Sequence, residues 1–287
     1  MVFQSLSEAF SLLKSTPSLW ITGLVTGIIS CFFILISAFA GSFFGEKVMI
    51  AGLLIMPLLI GGTYGAVKSG QTGVSVYFKE GLRNYFRILM PSVLILFVAI
   101  MTAFFVMLPL QILGVQAGVD LVFMVMMGVI VPIVFFSFFY DTAIVFEDCN
   151  VFDSIKRSVE FVLVKFVQVL GFFFIMVLIG LVVFTGAMIL WSAVLAGQLE
   201  PLTAMSQAEL EAFAKNPDEL IALIGQFGMY VTALIYIGCV AVFLNILYVF
   251  KAAFYRRYAP ASTISNLIAE TTEVGEYDEK GRWYKYT

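Results

Sequence analysis

Carboxylates at the end of an apolar run are the residues here best placed to do chemistry. Tyr140 and Asp141 lie between Phe138-Phe139 and Ala143-Ile144-Val145, and Glu147 and Asp148 follow. A carboxylate facing hydrocarbon is costly, so Asp141 is expected to face protein or water. It can form an internal ion pair with Arg157, with Lys156 and Arg83 as the other candidate partners. It can also bind an ion or a lipid headgroup. Alternatively it can converge with Glu147 or Asp148 in an interfacial pocket, the arrangement a membrane-embedded lipid enzyme would need. Other chemistries are excluded by residue type. The chain has no histidine, which removes Ser-His-Asp triads, HExxH sites and two-histidine metal sites. Its three cysteines, Cys31, Cys149 and Cys239, form no CxxC pair. No metal or cofactor is therefore expected, and no Walker or dinucleotide fingerprint occurs.

The elements that must position these residues are membrane spans. Of 287 residues, 61% are hydrophobic and 12% charged, against roughly 45–50% and 25% in a soluble domain. The excess falls into long runs nearly free of charge, such as 19–44, 48–67, 88–119 and 166–198. A run of about 20 apolar residues matches the hydrocarbon thickness of a bilayer. The sequence predicts an all-α polytopic membrane protein with six spans near 18–44, 48–67, 88–113, 120–146, 161–197 and 220–250. Residues 1–258 form the transmembrane domain, and 259–287 read as a polar, solvated tail. The first run is too long for a signal-peptide core and is read as retained.

Basic residues sort by side. Lys14, Lys68, Lys79, Arg83, Arg87, Lys156, Arg157, Lys165, Lys251, Arg256, Arg257, Lys280, Arg282 and Lys285 fall on one side. Only Lys47 and Lys215 fall on the other, which completes the 16. By the positive-inside rule both termini are cytoplasmic, in a plasma-membrane protein. The largest outer loop, 198–219, is acidic, and Ser206 with Glu209 spells a capping box for a short helix ending before Pro217.

One plan repeats three times: an amphipathic, partly basic segment followed by a hairpin of spans. The segments are 5–18, 75–91 and 151–166. In the third, Val151, Ile155, Val159 and Val162 share a face. In the second, Phe78, Leu82 and Tyr85 lie beside Lys79, Arg83 and Arg87. Such elbows can lie in the interface with their bases toward phosphates. Lys79, Arg83, Arg87, Lys156 and Arg157 are therefore candidate headgroup contacts, although the same segments serve equally as plain joints. Gly61, Gly62 and Gly65 are expected to allow close helix approach, and Asn245 to hydrogen-bond between helices. Pro57 and Pro132 are read as bends within spans.

Two stretches carry a resemblance. Ile55–Tyr85 reads IMPLLIGGTYGAVKSGQTGVSVYFKEGLRNY, and Val134–Phe172 reads VFFSFFYDTAIVFEDCNVFDSIKRSVEFVLVKFVQVLGF. The chain resembles an uncharacterised archaeal family of six-span membrane proteins. That family is similar to the membrane domain of some glycerophosphodiester phosphodiesterases and to YciC-like inner-membrane proteins. The resemblance implies six spans and no transferable activity, because those phosphodiesterases hydrolyse with a separate soluble barrel.

The expected function is that of a non-enzymatic membrane protein that interacts with lipids or scaffolds partners. Its partners would be membrane lipids, with a membrane protein or a second copy as further candidates, and no nucleic acid. A transporter or flippase of an amphiphile is the alternative. It would require a polar cavity lined by groups such as Asn245, Ser137 and Thr185.

Overall fold

The computed structural model describes residues 2–71, 73–112, 118–214, 217–259, 275–277 and 283–285. Eleven α-helices are seen among them: α1 (Val2–Ser15), α2 (Ile21–Ala40), α3 (Ser42–Ser69), α4 (Val74–Ile112), α5 (Val119–Ser137), α6 (Tyr140–Glu147), α7 (Val151–Val164), α8 (Phe166–Val194), α9 (Ala196–Thr203), α10 (Gln207–Ala214) and α11 (Pro217–Tyr258). A single 3-10 turn, Pro17–Trp20, leads into α2. Two three-residue strands, Gly275–Tyr277 and Trp283–Lys285, pair antiparallel in the tail with Glu276 opposite Tyr284. The tail acids Glu270, Glu273, Asp278 and Glu279, and the bases Lys215, Lys280 and Arg282, lie outside the described residues.

Among the described residues, six helical stretches are long and apolar enough to cross a membrane: Pro17–Ala40, Ser42–Ser69, Val74–Ile112, Asp120–Glu147, Phe166–Val194 and Glu219–Tyr258. Helical backbone pairs its own polar groups, the requirement hydrocarbon imposes on any lipid-exposed span, and it is interrupted at Phe138-Phe139 in the fourth stretch and at Gly225 in the sixth. Gly70 ends α3 in the left-handed conformation (φ 68°) and returns its amide to the Ala66 carbonyl at 3.0 Å, a stop that glycine adopts without steric cost. The capping box forms as the sequence indicates. Ser206 donates its amide to Glu209 Oε2 at 2.7 Å, and its hydroxyl lies 2.7 Å from the same oxygen. The hydroxyl of Ser206 in turn caps the Glu209 amide at 3.5 Å.

The repeated plan is modified in the second unit. The segment 75–91 is not a separate elbow, because α4 runs unbroken from Val74 through Pro91 and Pro109 to Ile112. Proline removes one helical hydrogen bond and bends the axis, which a helix supported by neighbours tolerates. The first and third segments do end, at Thr16-Pro17 and at Lys165. A different break occurs in the fourth span, at Phe138-Phe139 between α5 and α6. Ser158 of α7 fills it. Its hydroxyl donates to the Phe136 carbonyl at 2.8 Å and accepts the Phe139 amide at 3.0 Å.

The main core gathers at the end of the bundle where the basic residues cluster, called here the basic end. Phe139, Phe161, Phe172, Phe250, Phe254 and Tyr255 are fully buried there and form a chain of ring contacts 4.6–6.1 Å between centroids. A second, small cluster of Leu195, Ile224 and Met229 sits toward the opposite end.

Candidate functional site

Three polar knots tie the basic end, and each sits where a helix carries a group its neighbour needs. In the first, Asp141 opens α6, and its carboxylate meets Lys251 Nζ of α11 at 2.8 Å. The two side chains are 5% and 4% exposed. Tyr64 of α3 donates its hydroxyl to Asp141 Oδ2 at 3.3 Å. Lys251 Nζ also lies 4.0 Å from the centroid of the Phe138 ring, which favours a desolvated ammonium. The predicted pair of Asp141 with Arg157 is thus not formed. The sequence ends the sixth span near residue 250 and leaves Lys251 outside it. In fact α11 continues to Tyr258, so Lys251 lies about two turns inside the helix and faces the core.

Arg157 belongs to the second knot. Its Nε donates to Glu147 Oε2 at 2.7 Å, and its Nη2 donates to the Ala259 carbonyl at 2.9 Å. Tyr255 donates to Glu147 Oε1 at 2.6 Å. This knot binds α6, α7 and the end of α11 to one another. Alongside it, Arg256 of α11 pairs with Glu8 of α1.

The third knot is Asp148, whose backbone takes the left-handed conformation after α6 (φ 54°). Its carboxylate accepts from Lys68 at 2.9 Å and from Arg87 at 3.2 Å. Lys68 also donates to the Val145 carbonyl at 2.7 Å, and Arg87 donates to that of Cys149 at 3.2 Å. The Lys68 hydrogen bond, opposed by slight burial and reinforced by Arg87, holds the Asp148 carboxyl below the usual carboxylate range.

The remaining predicted residues divide cleanly. Of the five headgroup candidates, Arg87 and Arg157 are committed to the knots. Lys79, Arg83 and Lys156 are exposed, with the side chains of Arg83 and Lys156 at 62% and 77%. Among the described residues, Arg83 pairs only with Glu80 of its own helix at 3.7 Å, and Lys156 only with Glu160 of its own helix at 4.0 Å. The glycines do allow close approach, between α3 and α4. A Cβ on Gly62 would come within 2.8 Å of the Tyr77 ring, one on Gly65 within 2.3 Å of Glu80 Cβ, and one on Gly61 within 3.2 Å of Asn84 Cβ. Asn245 accepts the Gly23 amide at 2.8 Å and donates to the Trp20 carbonyl at 3.3 Å, which locks α11 to the start of α2. Sequence reasoning missed Lys251, Tyr64, Tyr255 and Ser158. It also missed a buried hydroxyl cluster in which Tyr77 donates to the Leu59 carbonyl at 2.9 Å and contacts Thr22 at 2.7 Å.

The arrangement bears on each chemical alternative. Asp141, Glu147 and Asp148 each face a different cation and do not converge on one pocket. Asn245 is wedged against Gly23, the Ser137 hydroxyl bonds the Ile133 carbonyl at 2.6 Å, and Thr185 is exposed on α8. The three therefore do not line a shared polar cavity. Among the described residues no group of three or more His, Cys, Asp or Glu side chains could hold a metal ion.

One comparison decides the family. The chain belongs to the family described as "Domain of unknown function (DUF7847)". Its model matches residues 1–258, from the first helix to the last residue of α11, so every side chain of the three knots lies within the DUF7847 domain, and only the Ala259 carbonyl that Arg157 bonds falls one residue beyond it. No curated protein and no solved structure matches the chain.

Proposed function

We propose that this protein is a non-enzymatic, multi-pass membrane protein that engages anionic lipid headgroups at its basic end, with both termini in the cytoplasm. One observation carries the reading. Glu8, Asp141, Glu147 and Asp148 are each taken up by a cation from elsewhere in the fold, while Lys79, Arg83 and Lys156 are left on the outside. Those three share their helices with exposed Phe78, Leu82, Phe86 and Phe152. An outward face that mixes large apolar side chains with bases is the pattern of an interfacial helix, apolar groups in the acyl region and bases at phosphate level. The 14-to-2 split of basic residues supports the orientation.

The test is native mass spectrometry of the full chain, released from nanodiscs containing equal phosphatidylglycerol and phosphatidylcholine. Wild type is expected to retain phosphatidylglycerol preferentially and to return it chemically unchanged. The Lys79→Gln/Arg83→Gln/Lys156→Gln variant is expected to lose that preference, at roughly fivefold per charge. Equal retention of both lipids by wild type, or a preference that survives the triple substitution, contradicts the reading. Recovery of a modified lipid would assign an enzyme instead.

A further inference from the structure

α7 buries the wrong face for an ordinary amphipathic helix. Against the bundle it sets Ser154 and Ser158 along with Phe161 and Val162. The serines allow close approach, and Ser158 caps the break in the fourth span. That leaves a second apolar stripe, Phe152, Ile155, Val159 and Leu163, off the core, with Phe152 74% and Leu163 58% exposed. The stripe forms one wall of a groove of about 770 Å³. Leu94 and Val98 of α4 form the second wall, and Pro132 and Phe136 of α5 the third. The volume lies within the roughly 300–1,000 Å³ typical of small-ligand pockets. The lining is apolar with two exceptions. The Ser137 hydroxyl is already bonded to its own helix. Lys156 projects from the stripe, with its ammonium 4.0 Å from Glu160, its one ion-pair contact among the described residues.

We infer that this groove is a binding site for one anionic membrane lipid, a hydrocarbon chain lying between α4, α5 and α7 and its phosphate meeting Lys156. The inference rests on the proposed headgroup reading and gives it a location. Two features select this occupant. The groove is cut between two spans at the level where the fourth span breaks and the elbow begins, which in the proposed orientation sets its floor at hydrocarbon depth and its rim at the interface. The one charge on its wall is a mobile cation on a long stem, which can follow a phosphate while its methylenes stay on the apolar stripe. A partner helix seated there would instead have to bury that ammonium opposite an acid of its own, at a desolvation cost.

The test uses phosphatidylglycerol carrying a diazirine in one chain, reconstituted with the full-length protein and photolysed. Cross-links are expected on 94–98, 132–137 and 152–163, in excess over the lipid-facing residues 174–190 of α8. Val159→Trp and Leu94→Trp, which fill the groove from opposite walls, should each cut that labelling at least ~tenfold, since every excluded methylene forfeits its burial. Lys156→Gln should leave chain labelling in place and lower competition by unlabelled phosphatidylglycerol, relative to phosphatidylcholine, by roughly fivefold. Labelling spread evenly over all lipid-facing spans overturns the groove site. So does labelling that neither tryptophan reduces. In both cases a phosphatidylglycerol preference that still depends on Lys79 and Arg83 would leave the headgroup reading standing, whereas loss of any headgroup preference would remove it as well. Protein–protein cross-links through 152–163 in place of lipid labelling would assign the groove to a second copy and overturn the proposal.

Discussion

The two ends of the bundle are held by different means. At the basic end α1, α3, α4, α6, α7 and α11 meet through ion pairs, a serine inserted in a helix break, and a continuous set of buried rings. Toward the other end, Phe97, Phe104, Phe105 and Ile112 of α4, Phe123 and Met124 of α5 and Phe184 and Ile189 of α8 are all exposed. Among the described residues only Leu195, Ile224 and Met229 form a buried cluster there. In lipid there is no hydrophobic drive for apolar helices to associate, so close backbone approach and polar contacts do the joining. The basic end has those contacts and the other end has few. The fold thus fixes in place the surface that carries Lys79, Arg83 and Lys156, and leaves the rest of each span to be solvated by the bilayer.

The largest expected effect comes from splitting the buried pair. Lys251→Met alone strands a buried carboxylate and should destabilise the protein by about 3–5 kcal/mol, as should Asp141→Asn to a lesser extent. The Asp141→Asn/Lys251→Met double variant should recover most of the loss, because no uncompensated charge is then left buried. Denaturant or thermal unfolding in detergent measures all three. A single variant as stable as wild type would mean the pair does not tie the basic end.

Glycine substitutions sharpen the contrast between the ends. At Gly65 a new Cβ would sit 2.3 Å from Glu80 Cβ, whereas at Gly186 nothing lies within 4 Å. Gly65→Leu should therefore destabilise by about 1–3 kcal/mol through overpacking, and Gly186→Leu should stay within roughly 0.5 kcal/mol of wild type. Equal effects in the same unfolding assay would erase the difference between the two ends.

The smallest effect is electrostatic and depends on pH. Asp148 is held below its ordinary value by Lys68, against slight burial and with help from Arg87. A depressed carboxyl contributes its full stabilisation above its unfolded value near ~3.9 and loses it as pH falls through the folded value. The half-exposed pair should be worth at most about 1 kcal/mol. The Tm gap between wild type and Asp148→Asn should thus be present at neutral pH and close on acidification below about pH 4. A gap that widens on acidification would contradict the assignment.

Much of the architecture was legible because a bilayer imposes a simple rule: long apolar runs, punctuated by glycine, proline and charge. The spans, the capping box at Ser206 and Glu209, the glycine approach at Gly61, Gly62 and Gly65, and the bridging of Asn245 all follow from residue type and local spacing. The partners of the polar groups did not. Asp141 and Lys251 are separated by 110 residues, and nothing local says that α11 extends past 250 to bring the lysine inward. Ser154 and Ser158 look like the polar face of α7, yet they face the core, because a helix crossing close to another needs small side chains there. The continuity of α4 through Pro91 was hidden for a related reason: a proline reads as a boundary until neighbouring helices are known to support it.

Hydrogen exchange of the full chain in phosphatidylglycerol nanodiscs, compared with phosphatidylcholine nanodiscs, tests the central claim most directly. If the basic end holds an anionic-lipid surface, phosphatidylglycerol will slow exchange in 74–87 and 151–164 and leave 97–112 and 181–194 unchanged. Identical exchange in the two lipids, or protection confined to the far end, would contradict it.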